Sequence, residues 1–159
     1  MKTLNEIIKQ VPVYLNDWSH KIDVIGDFED IYMDYKEYIA KESPYANNKY
    51  WLEKKQDMDK AIKKYENVNI LFASYSYANY EGDAWVLFEQ NGELYEVNGG
   101  HCSCYGLEGQ WSPDKVSLKE LEHRLTKGAW GEDDWSDNNF KKELCEFLGI
   151  EYVENVDKW

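Results

Sequence analysis

Three runs decide the fold: Ile70-Leu71-Phe72-Ala73-Ser74-Tyr75-Ser76-Tyr77, Ala84-Trp85-Val86-Leu87-Phe88 and Glu93-Leu94-Tyr95-Glu96-Val97. All are rich in β-branched and aromatic side chains and are separated by polar or glycine turns, which predicts an antiparallel meander. Asn91-Gly92 stands between the second and third runs, and that dipeptide supplies the positive φ angles of a type I′ hairpin. Gly99-Gly100 closes the third run, and His101-Cys102-Ser103-Cys104-Tyr105 follows as a turn or a short fourth strand.

Outward from this centre the pattern turns helical. Thr3 with Glu6 reads as a capping box before Leu4, Ile7, Ile8 and Val11, and Pro12 ends that helix. Over residues 21–38, Ile22 and Val24 alternate with acids until Gly26-Asp27 breaks the pattern, which reads as a brief strand or extended loop followed by a segment whose structure the pattern leaves open. After Ser43-Pro44, Tyr50, Leu52, Met58, Ile62 and Tyr65 are spread among Lys and Glu as on a long surface helix. Ser117 with Glu120 predicts a further helix with a Leu118/Leu121/Leu125 stripe. Ser136 or Asp137 can cap a last helix with Phe140, Leu144, Phe147 and Leu148 on one face and Gly149 as its stop. The expectation is one α+β domain over 1–159, with several helices against one face of a small antiparallel sheet.

Composition bounds the partners. The 159 residues carry 31 acidic and 18 basic side chains, a formal charge of −13, and 16% aromatics, enough for a packed core. The cations are lysines apart from Arg124, so the clustered arginines that grip a nucleic-acid backbone are missing and direct DNA or RNA binding is not expected. An acidic chain meets a basic protein surface instead. Residues 22–40 hold six acids against Lys36, a net −5, and residues 131–159 hold nine against three lysines, a net −6. Glu132, Asp133, Asp134 and Asp137, beside Trp130 and Trp135, are the first candidate contact cluster; Asp27, Glu29, Asp30 and Asp34, beside Tyr32, Tyr35 and Tyr38, are the second. The bland alternative for both is a solvated face. No run is apolar enough for a membrane span and the start lacks the apolar core of a signal peptide, which predicts a cytoplasmic protein.

The chemistry-bearing residues are few. Cys102 and Cys104 point to the same side of an extended chain and can pinch one metal ion, with His101 turned inward by the adjacent glycines. His123, off the leucine stripe of its helix, or Cys145, flanking the apolar face of the last helix, could complete a tetrahedral zinc site. Four protein ligands leave no open position, so such a zinc is structural. Two alternatives stand beside it: small buried thiols at a strand end, and redox or nucleophilic chemistry with Cys102 or Cys104 served by His101 or His123. No hydrolase, zincin, deaminase or phosphate-loop motif is present, and the chain is not expected to be an enzyme.

The run from Tyr95 to Trp111, with His101-Cys102-Ser103-Cys104 at its centre, and then Leu121-Glu122-His123-Arg124-Leu125, resembles a family of small phage and prophage proteins. Within it, the chain is similar to zinc-containing type II anti-CRISPR proteins, acidic inhibitors of the Cas9 nuclease. That resemblance implies a structural zinc at the motif, a bacterial host cell, and a negative surface that occupies a positively charged nucleic-acid channel and blocks DNA loading. A toxin-immunity protein that neutralises a basic nuclease fits the same composition.

Overall fold

The computed structural model describes residues 1–44, 46, 48–78, 80–132 and 138–154. The meander forms as expected: β2 (Asn69–Ala78), β3 (Glu81–Gln90) and β4 (Glu93–Cys102) pair antiparallel in sequence order. Asn91 and Gly92 both have positive φ, 53° and 80°, which is the backbone a type I′ turn requires. A two-residue β5 (Asp114–Lys115) closes one edge of the sheet.

The other edge carries a strand that periodicity did not disclose. β1 (Val13–Asn16) follows Pro12 and pairs parallel with β2, Val13 facing Phe72, so the five-stranded sheet is mixed rather than purely antiparallel. Four residues are too short a run to carry a clear alternation signal.

Helices cover both faces of this sheet, not one. Ile70, Ala73 and Tyr75 of β2 pack with Val86, Phe88 and Val97 against α2 (Lys21–Phe28) and α4 (Asn48–Lys64). Leu71, Phe72, Trp85, Leu87 and Leu94 pack against α1 (Leu4–Ile8), α5 (Leu118–Thr126) and α6 (Lys141–Leu148). The unbroken apolar runs Ile70–Ala73 and Ala84–Phe88 are what a strand needs when neither face meets water. A bulge between Ile70 and Phe72 fits the pattern: Leu71 is the extra residue opposite β3, and it joins Phe72 on the same layer.

Helix ends follow local chemistry. Thr3 and Glu6 form the reciprocal box that starts α1, and the Ser117 hydroxyl accepts the Glu120 N–H at 3.1 Å to start α5. Residues 21–28, expected as extended chain, are α2. The Asp23 carboxylate accepts from the N–H groups of Ser19 (2.9 Å) and His20 (3.0 Å), and Val24, Ile25 and Phe28 share a buried helical face. Asp34 caps a further turn, α3 (Tyr35–Ile39), through the Glu37 N–H at 2.9 Å. α6 starts at Phe140 without a side-chain cap, and the expected caps Ser136 and Asp137 lie outside the described residues. No helix among the described residues is long and apolar enough to cross a membrane.

Candidate functional site

The end of the meander that carries the β2–β3 turn forms the site, on the α2 layer. His101, on the last residues of β4, lies across from Gly82, and its ring occupies the space a side chain at Gly82 would fill: a Cβ there would stand 2.4 Å from Cε1. The Tyr75 hydroxyl and His101 Nδ1 share a hydrogen bond of 2.5 Å, and the rings of Tyr75 and Tyr77 meet the imidazole edge-on at 5.5 and 5.4 Å. Positions 75, 77 and 101 share one face because side chains alternate along a strand and the ladder is in register.

Past Cys102 the chain turns. Residues 103 and 104 are a turn closed by a bridge between Cys102 and Tyr105, so the two cysteines are paired by a turn rather than by extended chain. Gln110 holds this loop with three side-chain bonds, accepting from Gly100 N–H (2.8 Å) and donating to the carbonyls of Gly100 and Gly106 (2.7 Å each). Leu107 is buried beneath it against Gly99, where even a Cβ would approach to 3.0 Å. The Cys104 N–H donates to Cys102 Sγ at 3.4 Å, and hydrogen bonds from the Cys104 backbone and thiol hold the Cys102 thiol below its ordinary pKa.

Between this loop and the end of α2 runs a groove of about 500 Å³, lined by Asp27, Asp30, Tyr32, Tyr77, His101, Tyr105 and their neighbours. It continues past Asp27 and Tyr32 into a second depression of about 230 Å³ that adds Asp17, Asp23 and Asp34. No lysine or arginine lines either part among the described residues. Tyr32, Tyr77 and Tyr105 stand 79%, 58% and 57% exposed along the rim. At the floor, Trp18 Nε1 donates to Asp27 at 2.6 Å. Burial pushes the Asp27 carboxyl up, the Trp18 bond opposes it, and the neighbouring charges of Asp23 and Asp17 raise it further. Burial likewise raises Asp17, and burial with the charges of Asp27 and Asp17 raises the Tyr75 hydroxyl.

The residues expected to act together are only partly brought together. His101, Cys102 and Cys104 line one groove, with the His101 Nδ1 engaged by Tyr75 rather than by a thiol. His123 sits exposed on α5 and Cys145 is 1% exposed inside α6, both on the opposite layer of the sheet. Among the described residues no three His, Cys, Asp or Glu side chains are grouped so as to hold a metal. Of the first acidic cluster, Glu132 is turned inward, 9% exposed and 3.6 Å from the buried Lys141 ammonium; Asp133, Asp134 and Asp137 lie outside the described residues. In the second cluster, Glu29 is engaged by Lys64 (2.5 Å) and Tyr65 (2.7 Å), while Asp27, Asp30 and Asp34 face the groove. Asp17, Asp23, Glu108, Tyr77 and Tyr105 were missed by sequence reasoning. The spacing of Tyr75 and Tyr77 was the available signal, since two tyrosines on one strand face need a partner for that face.

Comparison with protein-family models, with curated proteins and with solved structures finds no match for this chain.

Proposed function

We propose that this protein is an acidic binding inhibitor, not an enzyme: it seats a cationic surface of a nuclease in the groove and keeps nucleic acid off that surface. The observation that carries this reading is the groove's composition. Asp17, Asp23, Asp27, Asp30, Asp34 and Glu108 line it beside three exposed tyrosines with no lysine or arginine among the described lining residues. Burial and then the charges of Asp23 and Asp17 raise the Asp27 carboxyl, opposed by the Trp18 bond and by His101, a cost to the fold that is relieved when a partner brings lysine or arginine. Exposed aromatic rings beside charge supply the desolvated anchors on which binding energy concentrates. The resemblance of the His101–Cys104 region names Cas9 as the first partner to try, with competition for its backbone-reading channel as the mode of inhibition.

The test is binding and DNA cleavage with purified Cas9, with and without guide RNA, beside a panel of nuclease toxins. A complex that forms with one of these, blocks cleavage and weakens with added salt is the expected result. The combined change Tyr32→Ala and Asp30→Asn should weaken that complex about tenfold or more, as loss of an aromatic anchor does, while circular dichroism stays unchanged. Asparagine tolerates the left-handed backbone that Asp30 adopts at φ 56°, so the fold is spared. Binding of the chain to bare DNA, or a variant that inhibits as well as the parent, overturns the proposal.

A further inference from the structure

We propose that Cys102 and Cys104 form a thiol–disulfide exchange site on the groove's rim, oxidised by a low-molecular-weight disulfide to a bridge within the turn and reopened by excess thiol. The two sulfurs belong to one turn, closed by the Cys102–Tyr105 bridge and fastened by Gln110 and Leu107. The Cys104 N–H donates to Cys102 Sγ at 3.4 Å, and the Cys104 thiol is itself a hydrogen-bond partner of the Cys102 thiol. Both are reachable, Cys104 exposed and Cys102 half-exposed, whereas Cys145 is buried in the opposite layer and has no route to either. Among the described residues no third His, Cys, Asp or Glu side chain is grouped with the pair.

The exchange balances in two steps. One protein thiol, its proton lost to solvent, attacks a sulfur of the small disulfide; an S–S bond forms to the protein and one small thiolate leaves and takes up a proton. The second protein thiolate then attacks the first protein sulfur and expels the other small thiolate, which is protonated in turn. Two electrons pass from the protein thiols to the small disulfide, and two small thiols are released. A bridge enclosing only Ser103 gains little from restricting the unfolded chain and sits in a tight ring, which makes it one of the exposed, easily reduced disulfides rather than a structural one.

The experiment treats the reduced full chain with a range of oxidised-to-reduced glutathione ratios, alkylates free thiols, and maps peptides by mass spectrometry, with zinc content measured on the same sample. The expected product has lost two hydrogens between residues 102 and 104, carries no glutathione, keeps Cys145 as a thiol until denaturant is added, and reverts with excess reduced glutathione. Cys104→Ser should instead leave Cys102 as a stable glutathione adduct. A wild-type chain that stays a dithiol under the oxidised ratios, accumulates glutathione adducts, pairs through Cys145, or holds one zinc that shields both thiols overturns the proposal.

Discussion

Asp27 is the side chain at which stability and binding pull apart. Its carboxylate is driven up in pKa by burial, with the Trp18 bond opposing and the charges of Asp23 and Asp17 adding to the rise. A raised acid disfavours the folded state at neutral pH and is relieved as pH falls through its folded pKa. Asp27→Asn keeps an oxygen for Trp18 while removing the charge, so thermal unfolding at pH 7 should occur at a higher temperature than in the parent. Under the proposed function, affinity for a cationic partner should drop in the same variant. Glu96 behaves in the opposite sense. Burial pushes its carboxyl up, but the bidentate Arg124 guanidinium at 2.8 Å and Trp85 Nε1 at 3.0 Å outweigh that and hold it below its ordinary value. Its contribution is full above the unfolded carboxylate pKa and is lost as pH falls through the lower folded value. Glu96→Gln should therefore cost about 2 kcal/mol at pH 7, the worth of charge-assisted hydrogen bonds, and flatten the stability profile on the acid side. Urea titrations from pH 7 down to 3 read both effects.

Among the elements, α6 depends most on one backbone position. Gly149 ends it in the left-handed region at φ 75°, donating to the Cys145 and Glu146 carbonyls, and Lys2 N–H reaches the Leu148 carbonyl at 2.9 Å alongside. An added Cβ would stand 3.2 Å from the Lys2 nitrogen as well as adopting a φ that side chains avoid. Gly149→Ala should destabilise by about 1–2 kcal/mol, seen as an earlier melt, with amide exchange rising first in α1 and α6. That glycine was legible in the sequence, as were the Asn91-Gly92 turn, the Thr3 and Ser117 caps and the meander, because each is written within a few neighbouring residues. β1 and α2 were not legible. Val13–Asn16 becomes a strand only by pairing with β2, and the Ile22/Val24 alternation that suggested extended chain is overruled by Asp23, which receives the N–H groups at the helix start. The candidate site was legible in part for the same reason. The His101–Cys104 stretch and the acids of 27–34 stand out in the text, but only the register of β3 with β4 and the position of α2 place them on one groove.

At the scale of the whole molecule, the proposed function makes the charge of −13 the term that governs approach to a cationic partner. Neutralising Asp30 and Asp34 to Asn, which suits the left-handed backbone at 30 and can still cap α3 at 34, should slow association with a cationic nuclease surface and flatten its salt dependence, since exposed charges act mainly on the on-rate and are screened over about 8 Å at physiological ionic strength. The same neutralisation at Asp133 and Asp134 is the comparison: if the groove is the contact surface, stopped-flow association should respond more strongly to the first pair than to the second. A dominant response at 133 and 134 would move the contact to the other acidic cluster.

The parallel pairing of β1 with β2 also sets an order of assembly. The meander closes through short turns, whereas Val13 must find Phe72 across more than fifty residues of intervening chain, and such distant pairings are slow to form. Asp17 and Trp18 follow directly on β1, so the floor of the groove is put in place by a less local step than the closing of the meander. A refolding chain would thus build the meander before it builds the groove. Pulse-labelled hydrogen exchange during refolding should find the amides of β2 to β4 protected while the Asp17 N–H, bonded to the Tyr75 carbonyl at 2.8 Å in the finished fold, still exchanges.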